Sequence, residues 1–295
     1  MALASVAVGQ IVVNFLLVGC FYAALGVGFS LVWGIMNIVN LAHGALLIVG
    51  AYVSYWLFTQ VHIDPFVAIF LTMIVLFAVG WVIQYLIINR VIRGPLLVTF
   101  MLTFGLDLLI TNLVQLFFTG NIRSINVPYA NVAVTIGETR IPFVNVAVAL
   151  VAVGLTVALA QFLTRTRTGN AILATGMDSD AARLMGISVR RTYALTFALG
   201  AALAGAAGAM LAMTLQFQPV DSGKYTLYAF VIVALGGLGT PYGALAGGFV
   251  FSLAETVAAY IPGIGVSLEI AVAFAVLVLV LILRPNGILG KAYYS

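Results

Sequence analysis

The 295 residues are 64% hydrophobic and only 7% charged, whereas soluble domains carry about 25% charge. That excludes an ordinary soluble domain and predicts an all-α polytopic membrane protein, because apolar runs of about 20 residues cross the hydrocarbon core as helices. The net charge of +4 comes from arginines in polar connections, so it bears on orientation in the membrane and gives no sign of nucleic-acid binding.

The first apolar run, about Val8 to Trp33, has no positive segment or cleavage-like site before it and reads as a span, not a removable leader. Cys20, the single cysteine, lies inside it and rules out an intramolecular disulfide. GIMNIVN, Gly34 to Asn40, reads as the break between this helix and a second span reaching about Phe58. Val61 to Pro65 is a turn, with Pro65 in the first turn of a third span that ends near Asn89. A fourth span covers about Leu96 to Phe118. The alternation in NVAVTIGETRI, within Thr119 to Pro142, predicts a small extramembrane hairpin. A fifth span, Phe143 to Leu163, leads into the long polar loop 164–191.

Within that loop, Gly169 to Leu184 predicts one short helix, rich in small residues on one side and stopped at Gly186. The sixth span is about Thr192 to Leu215, followed by a turn, Gln216 to Tyr225. Thr226 to Leu238 is too short to cross unaided and predicts a short or re-entrant helix. Tyr242 to Tyr260, the turn Ile261 to Gly265 and Leu268 to Leu283 complete eight or nine membrane segments, broken or re-entrant helices included, in a single transmembrane domain spanning 1–295. Gly239, Gly243 and Gly247 fall four apart, as a helix-packing stripe does.

On this layout Arg90, Arg93, Arg165, Arg167, Arg183, Arg190, Arg191, Arg284 and Lys291 share one side of the membrane, against Arg123, Arg140 and Lys224 on the other. The positive-inside rule then places loop 164–191 and the C-terminus in the cytoplasm and the N-terminus outside.

Chemistry-bearing motifs are few. Ser222-Gly223-Lys224-Tyr225 lacks both the earlier glycine and the following hydroxyl of a phosphate-binding loop, so no ATP site is expected in this chain. One cysteine and two distant histidines, His43 and His62, make no zinc site, and no Ser, His and acid set suits hydrolysis. An enzyme is therefore not expected, nor a cofactor bound by this chain. What remains are polar groups at membrane depth, which are costly there and are function candidates for that reason. On a continuous helix Asn37, Asn40, His43 and Gly44 would fall within about a third of the circumference. They either line a substrate pathway or satisfy the break itself. Asp107 and Glu255 lie mid-span, while Glu269 sits near a helix start. With no lysine or arginine expected at their depth, Asp107 and Glu255 should hydrogen-bond to Asn, Gln, Thr or Tyr.

Three stretches carry a family resemblance: GFSLVWGIMNIVNLAHGALLIVGAYV from Gly28, RTGNAILATGMDSDAARLMGI from Arg167, and VIVALGGLGTPYGALAGGFVFSLAE from Val231. Together they resemble the permease subunits of bacterial branched-chain amino acid ABC importers of the LivH type. The resemblance implies alternating access driven by ATP bound on partners, and an inner-membrane complex with a second homologous permease, two cytoplasmic ATPases and a periplasmic substrate-binding protein, embedded in membrane lipid. In such permeases an Ala-x-x-x-Gly cytoplasmic loop docks on the ATPase; Ala182 and Gly186 have that spacing here. Asp-Ala-Ala at Asp180 to Ala182 stands where Glu-Ala-Ala is more familiar. The coupling set carried over is Gly169, Asp178, Asp180, Ala181, Ala182 and Gly186, and the expected substrate pathway is Asn37, Asn40, His43 and Glu255. A secondary transporter or channel using Asp107 or Glu255 as its ion site would share the hydropathy and broken helices, but it has no need of the long central loop.

The charge asymmetry yields a direct test of orientation. Single cysteines placed at Asn131 and Thr168 in a Cys20→Ser background should react with an impermeant maleimide from opposite sides, Asn131→Cys alone being labelled in intact cells.

Overall fold

A computed structural model describes residues 2–92, 94–137, 139–260 and 269–290. Arg93, Lys291 and the turn from Ile261 to Gly265 lie outside the described residues. The chain runs α1 (Ala2–Met36), α2 (His43–Val61), α3 (Pro65–Leu86), α4 (Leu96–Phe118), a two-stranded hairpin of β1 (Ala133–Ile136) and β2 (Thr139–Pro142), and α5 (Phe143–Arg165). It continues through α6 (Arg167–Met177), α7 (Ser179–Leu184), α8 (Val189–Thr214), α9 (Ser222–Gly236), α10 (Pro241–Tyr260) and α11 (Glu269–Leu283). Among the described residues seven helices, α1 to α5, α8 and α10, are long and apolar enough to cross a membrane. The protein is thus an all-α polytopic membrane protein. At 15 residues α9 is shorter than the roughly 20 that a full crossing needs, and it begins four residues before the short helix expected from Thr226.

Local chemistry sets most boundaries. The Asp64 carboxylate accepts from Phe66 N at 2.9 Å and caps α3, with Pro65 at its first position, where a missing N–H costs nothing. The expected single helix over Gly169 to Leu184 is instead two. Asp178 adopts an extended conformation, and its carboxylate accepts from both Asp180 N and Ala181 N at 2.9 Å, so it ends α6 and caps α7. An acid flanked by small residues competes with the helix backbone in this way, which a propensity reading does not register. Gly186, at φ +83°, then closes α7: its N–H donates to Arg183 O while Ile187 N donates to Ala182 O, a Schellman arrangement that only glycine enters without strain.

Helix α8 is the centre of the bundle. Its run of Gly and Ala presents almost no side-chain bulk, and α1, α2 and α3 all pack against it. Lipid tails are as apolar as leucine, so membrane helices associate through close packing, and small residues allow the closest approach. Gly205 meets Gly50 of α2 backbone to backbone, Gly200 meets Gly28 of α1, and Ala201 lies against Gly80 of α3. At Gly208 an added methyl would collide with Leu47 O and with Ala51 N on α2. The expected stripe at Gly239, Gly243 and Gly247 forms only in part. Gly239 lies ahead of α10 with φ +78°, whereas Gly243 and Gly247 seat α10 on the Ile232 to Gly236 turn of α9.

The two ends of the bundle differ. At one end stands the hairpin, registered Ala133 opposite Pro142 and Ile136 opposite Thr139. The Gln10 amide ties it to α1, donating to Arg140 O at 3.1 Å and accepting from Arg140 N at 3.0 Å. Nearby, Arg123 pairs its backbone with Phe217 and donates to Phe118 O and to the Tyr55 hydroxyl, at 3.0 and 3.2 Å. The Tyr129 hydroxyl donates to Asp64 Oδ2 at 2.8 Å, and burial, reinforced by that carboxylate, pushes the phenol's pKa up. At the opposite end lie α6 and α7.

Substitution at two glycines separates close packing from propensity. Gly208→Ala should lower the thermal midpoint of the detergent-purified protein by several degrees, since overpacking costs about 1–3 kcal/mol. Gly154→Ala on α5, where an added methyl meets nothing within 4 Å, should hold or raise it, since alanine favours helix by about 1 kcal/mol over glycine.

Candidate functional site

The break after α1 is where the sequence placed its polar cluster, but the expected common helix face does not form. Residues 37–42 are not helical, so helical spacing does not put Asn37, Asn40 and His43 on one face: Asn37 is exposed, while Asn40 and His43 are buried. Asn37 takes a left-handed conformation, φ 52°, which asparagine tolerates better than most residues, and its side chain is exposed. Asn40 is 2% exposed and holds the break together: its Oδ1 accepts from Ala42 N at 3.2 Å, and its carbonyl accepts from His43 N. His43 is fully buried, with Nε2 3.0 Å from Leu25 O on α1. A carbonyl only accepts, so Nε2 carries a proton there.

Irregular backbone at this depth needs partners, and neighbouring helices supply them. The Thr103 hydroxyl of α4 donates to Val39 O at 3.1 Å. The Thr226 hydroxyl of α9 donates to Leu41 O at 3.0 Å while accepting from Gly44 N at 2.8 Å. Gly44 is required for that approach, because an added methyl would overlap Ser222 O.

The two half-buried acids fall in different places. Asp107 on α4 hydrogen-bonds the Ser222 hydroxyl, which accepts in turn from Thr111 at 3.0 Å. Among the described residues nothing donates to Asp107 Oδ1. Glu255 on α10 accepts from the Tyr22 hydroxyl. It lines a cavity of about 290 Å³ between α1, α5, α8, α9 and α10. Lys224 lines the same cavity, against the expectation that no basic residue would lie near Glu255. Its ammonium stands 5.4 Å from the Tyr228 ring centroid and 5.8 Å from that of Tyr225. The signal was present in the sequence, since Lys224 and Tyr228 are four apart and share a helix face. It was missed because 216–225 reads as a turn, whereas α9 starts at Ser222.

A second cavity, about 580 Å³, opens at the α6–α7 end. Asn37 and Gly34 border it, as do Leu238 to Thr240 between α9 and α10, and Leu173, Gly176 and Met177 of α6. Both glycine-bearing breaks read from the sequence therefore meet here, with Gly34 packed directly on Gly239.

Beside this cavity, α6 and α7 sort the carried-over residues into two groups. Gly169 and Ala182 are buried, as is Ile172, so these residues root the pair in the bundle. Asp178, Asp180, Ala181 and Gly186 are exposed. The apolar tip escaped the sequence reading: Met177, Leu184 and Met185 are 87%, 89% and 83% exposed. They lie on the polar connection between α5 and α8, where no lipid-facing span accounts for apolar exposure.

Residues 11–283 match the family described as branched-chain amino acid transport system, permease component. The chain belongs to that family. It is 31% identical to the high-affinity branched-chain amino acid transport system permease protein BraD of Pseudomonas aeruginosa, over 96% of this chain and 95% of that one. It is 30% identical to LivH of Escherichia coli K12 over 94% of each chain. It is also 29% identical to a probable LivH of Methanocaldococcus jannaschii, over 80% of this chain and 76% of the relative. No solved structure matches.

The packing of the break predicts how its residues respond to truncation. His43→Ala and Asn40→Ala should lower the yield of monodisperse protein in fluorescence-detected size exclusion, as expected from a cavity or an orphaned amide worth about 1–3 kcal/mol. Asn37→Ala should leave the yield unchanged.

Proposed function

We propose that this chain is a membrane-spanning subunit of an ATP-driven importer for branched-chain or related small amino acids. In this reading the hairpin end faces the periplasm, the α6–α7 end faces the cytoplasm, and the complex sits in the bacterial inner membrane. A second homologous permease completes the membrane unit, two cytoplasmic ATPases bind ATP, and a periplasmic binding protein delivers substrate.

The observation that carries the proposal is the α6–α7 tip: Met177, Leu184 and Met185 project outward from a pair of helices rooted by buried Ile172 and Ala182. A pair built in this way transmits force. When the ATPase groove grips the apolar tip differently in its open and closed states, that difference in affinity biases the permease between two conformations. The push reaches α1 at once, because Gly176 of α6 lies against Ile35. Ile35 and Asn37 border the 580 Å³ cavity, so displacing α6 reshapes the space through which substrate leaves toward the cytoplasm. Substrate enters past the cavity containing Glu255. Asn37 faces the route, while Asn40 and His43 hold the break that shapes it. An ion-coupled carrier working through Asp107 or Glu255 would give the exposed tip no task.

Leu184→Asp and Met185→Asp, made together, should reduce the ATPase recovered with the tagged permease by about tenfold, as loss of an interface anchor does. Membrane insertion and monodispersity should be retained, because both side chains are exposed. Undiminished ATPase recovery would refute the docking surface.

A further inference from the structure

We propose that the cavity shared by Lys224 and Glu255 is a binding site for a zwitterionic α-amino acid, with Lys224 taking the carboxylate and Glu255 the ammonium. The assignment rests on the importer reading and deepens it by naming the groups that hold the substrate within the permease.

Charge is the first argument. The lining carries one ammonium and one carboxylate, so it is neutral overall yet strongly polarised. Neither a cation nor an anion is satisfied by such a site, and a neutral polyol gives charged groups no reason to be there. A zwitterion replaces the water lost by both side chains and brings charge-assisted hydrogen bonds to each.

Placement is the second. Lys224 lies in the first turn of α9, and its ammonium is held over the Tyr225 and Tyr228 rings, which supply a cation with a weak attractive surface without neutralising it. Tyr22 fixes Glu255 through its hydroxyl, and the rings of Tyr22, Tyr228 and Phe251 pack on one another with centroids 4.9 to 5.9 Å apart. Both charged groups are thus set by rigid neighbours on helices, which is what an orienting site requires. Asn145 also lines the cavity, with an amide that can both donate and accept.

Size and wall chemistry are the third. At about 290 Å³ the cavity falls near the lower limit of about 300 Å³ for ligand pockets, which suits a small metabolite. Leu17, Val18, Val148 and Leu215 provide an aliphatic wall beside the charged pair. That is the partition a branched-chain amino acid presents: two charges on one carbon and an apolar side chain.

The test uses the full transporter purified without its binding protein, carrying Leu17→Cys in a Cys20→Ala background, and reads protection of the new cysteine from maleimide. L-leucine should protect; leucinamide, which lacks the carboxylate, and 4-methylpentanoate, which lacks the ammonium, should each need about tenfold higher concentration, as sites built around a polar group require. Lys224→Gln should abolish the preference for leucine over leucinamide while keeping that over 4-methylpentanoate, and Glu255→Gln should do the reverse. A structural ion pair would weaken all three ligands alike. Equal protection by the three, or protection unaltered in both variants, overturns the proposal. If Leu17→Cys does not assemble, ATP-driven leucine uptake in proteoliposomes decides: it should fall about tenfold in Lys224→Gln and recover in Lys224→Arg, and uptake unaltered in Lys224→Gln refutes the site. Wild-type proteoliposomes that show no ATP-driven amino-acid uptake would refute the importer reading itself, an outcome separate from either of these.

Discussion

The backbone contacts along α8 govern the rest of the structure. Within a membrane, apolar side chains gain little from touching one another instead of lipid, so the bundle coheres where main chains come close enough for dense dispersion contact. Gly200, Gly205 and Gly208 create three such approaches on one helix, to α1 and α2, and Gly80 brings α3 to the same helix. With α1, α2 and α3 fixed around a common axis, α10 is seated on α1, and α9 on both α1 and α2. That second set carries the polar chemistry.

Interrupted helices are tolerated here because the interruptions face protein. Asn40, Thr103 and Thr226 absorb the donors and acceptors freed between α1 and α2. The other interruption, between α9 and α10, is bridged by Thr240, whose hydroxyl accepts from Gly243 N and whose carbonyl accepts from Ser30. A membrane segment that stops short exposes backbone dipoles at depth, and those dipoles are held still by short hydroxyl side chains. At both interruptions, then, short hydroxyl and amide side chains keep polar backbone bonded in the interior. The ion pair of Arg183 with Asp180, at 3.9 Å, is exposed and worth little.

Hydropathy and turn chemistry made most of the fold legible. The bounds of the fourth span, the hairpin, the break near Gly34 and the shortness of the segment after Ser222 all follow from local signals, and the three quoted stretches carried the family. What was not legible depended on contacts between distant residues. Asn37, Asn40 and His43 have helical spacing, but spacing identifies a face only if the helix continues, and Thr226, 185 positions away from Leu41, helps to stop it. Ala182 and Leu184 are near neighbours in an amphipathic stretch, and only the packing of α7 on α8 decides which of them is buried. Lys224 read as a turn residue because the start of α9 is set by Gln218 and Asp221, which cap the short 3-10 turn ahead of it, and by no hydropathy signal.

The last described residues have a consequence for how the molecule is made. Ile288 N donates to Leu235 O and Leu289 N to Gly236 O, both at 2.9 Å, so the final turn of α9 finds its backbone partners in a segment that follows α11. Gly237 and Gly287, both with positive φ, let the two strands of chain lie against each other. During synthesis α9 emerges long before those partners exist, and its carbonyls at that end must stay hydrated until the last helix is in place. Completion of α9 thus waits for the segment that follows α11, and a nascent chain halted within α11 holds an α9 with an open end.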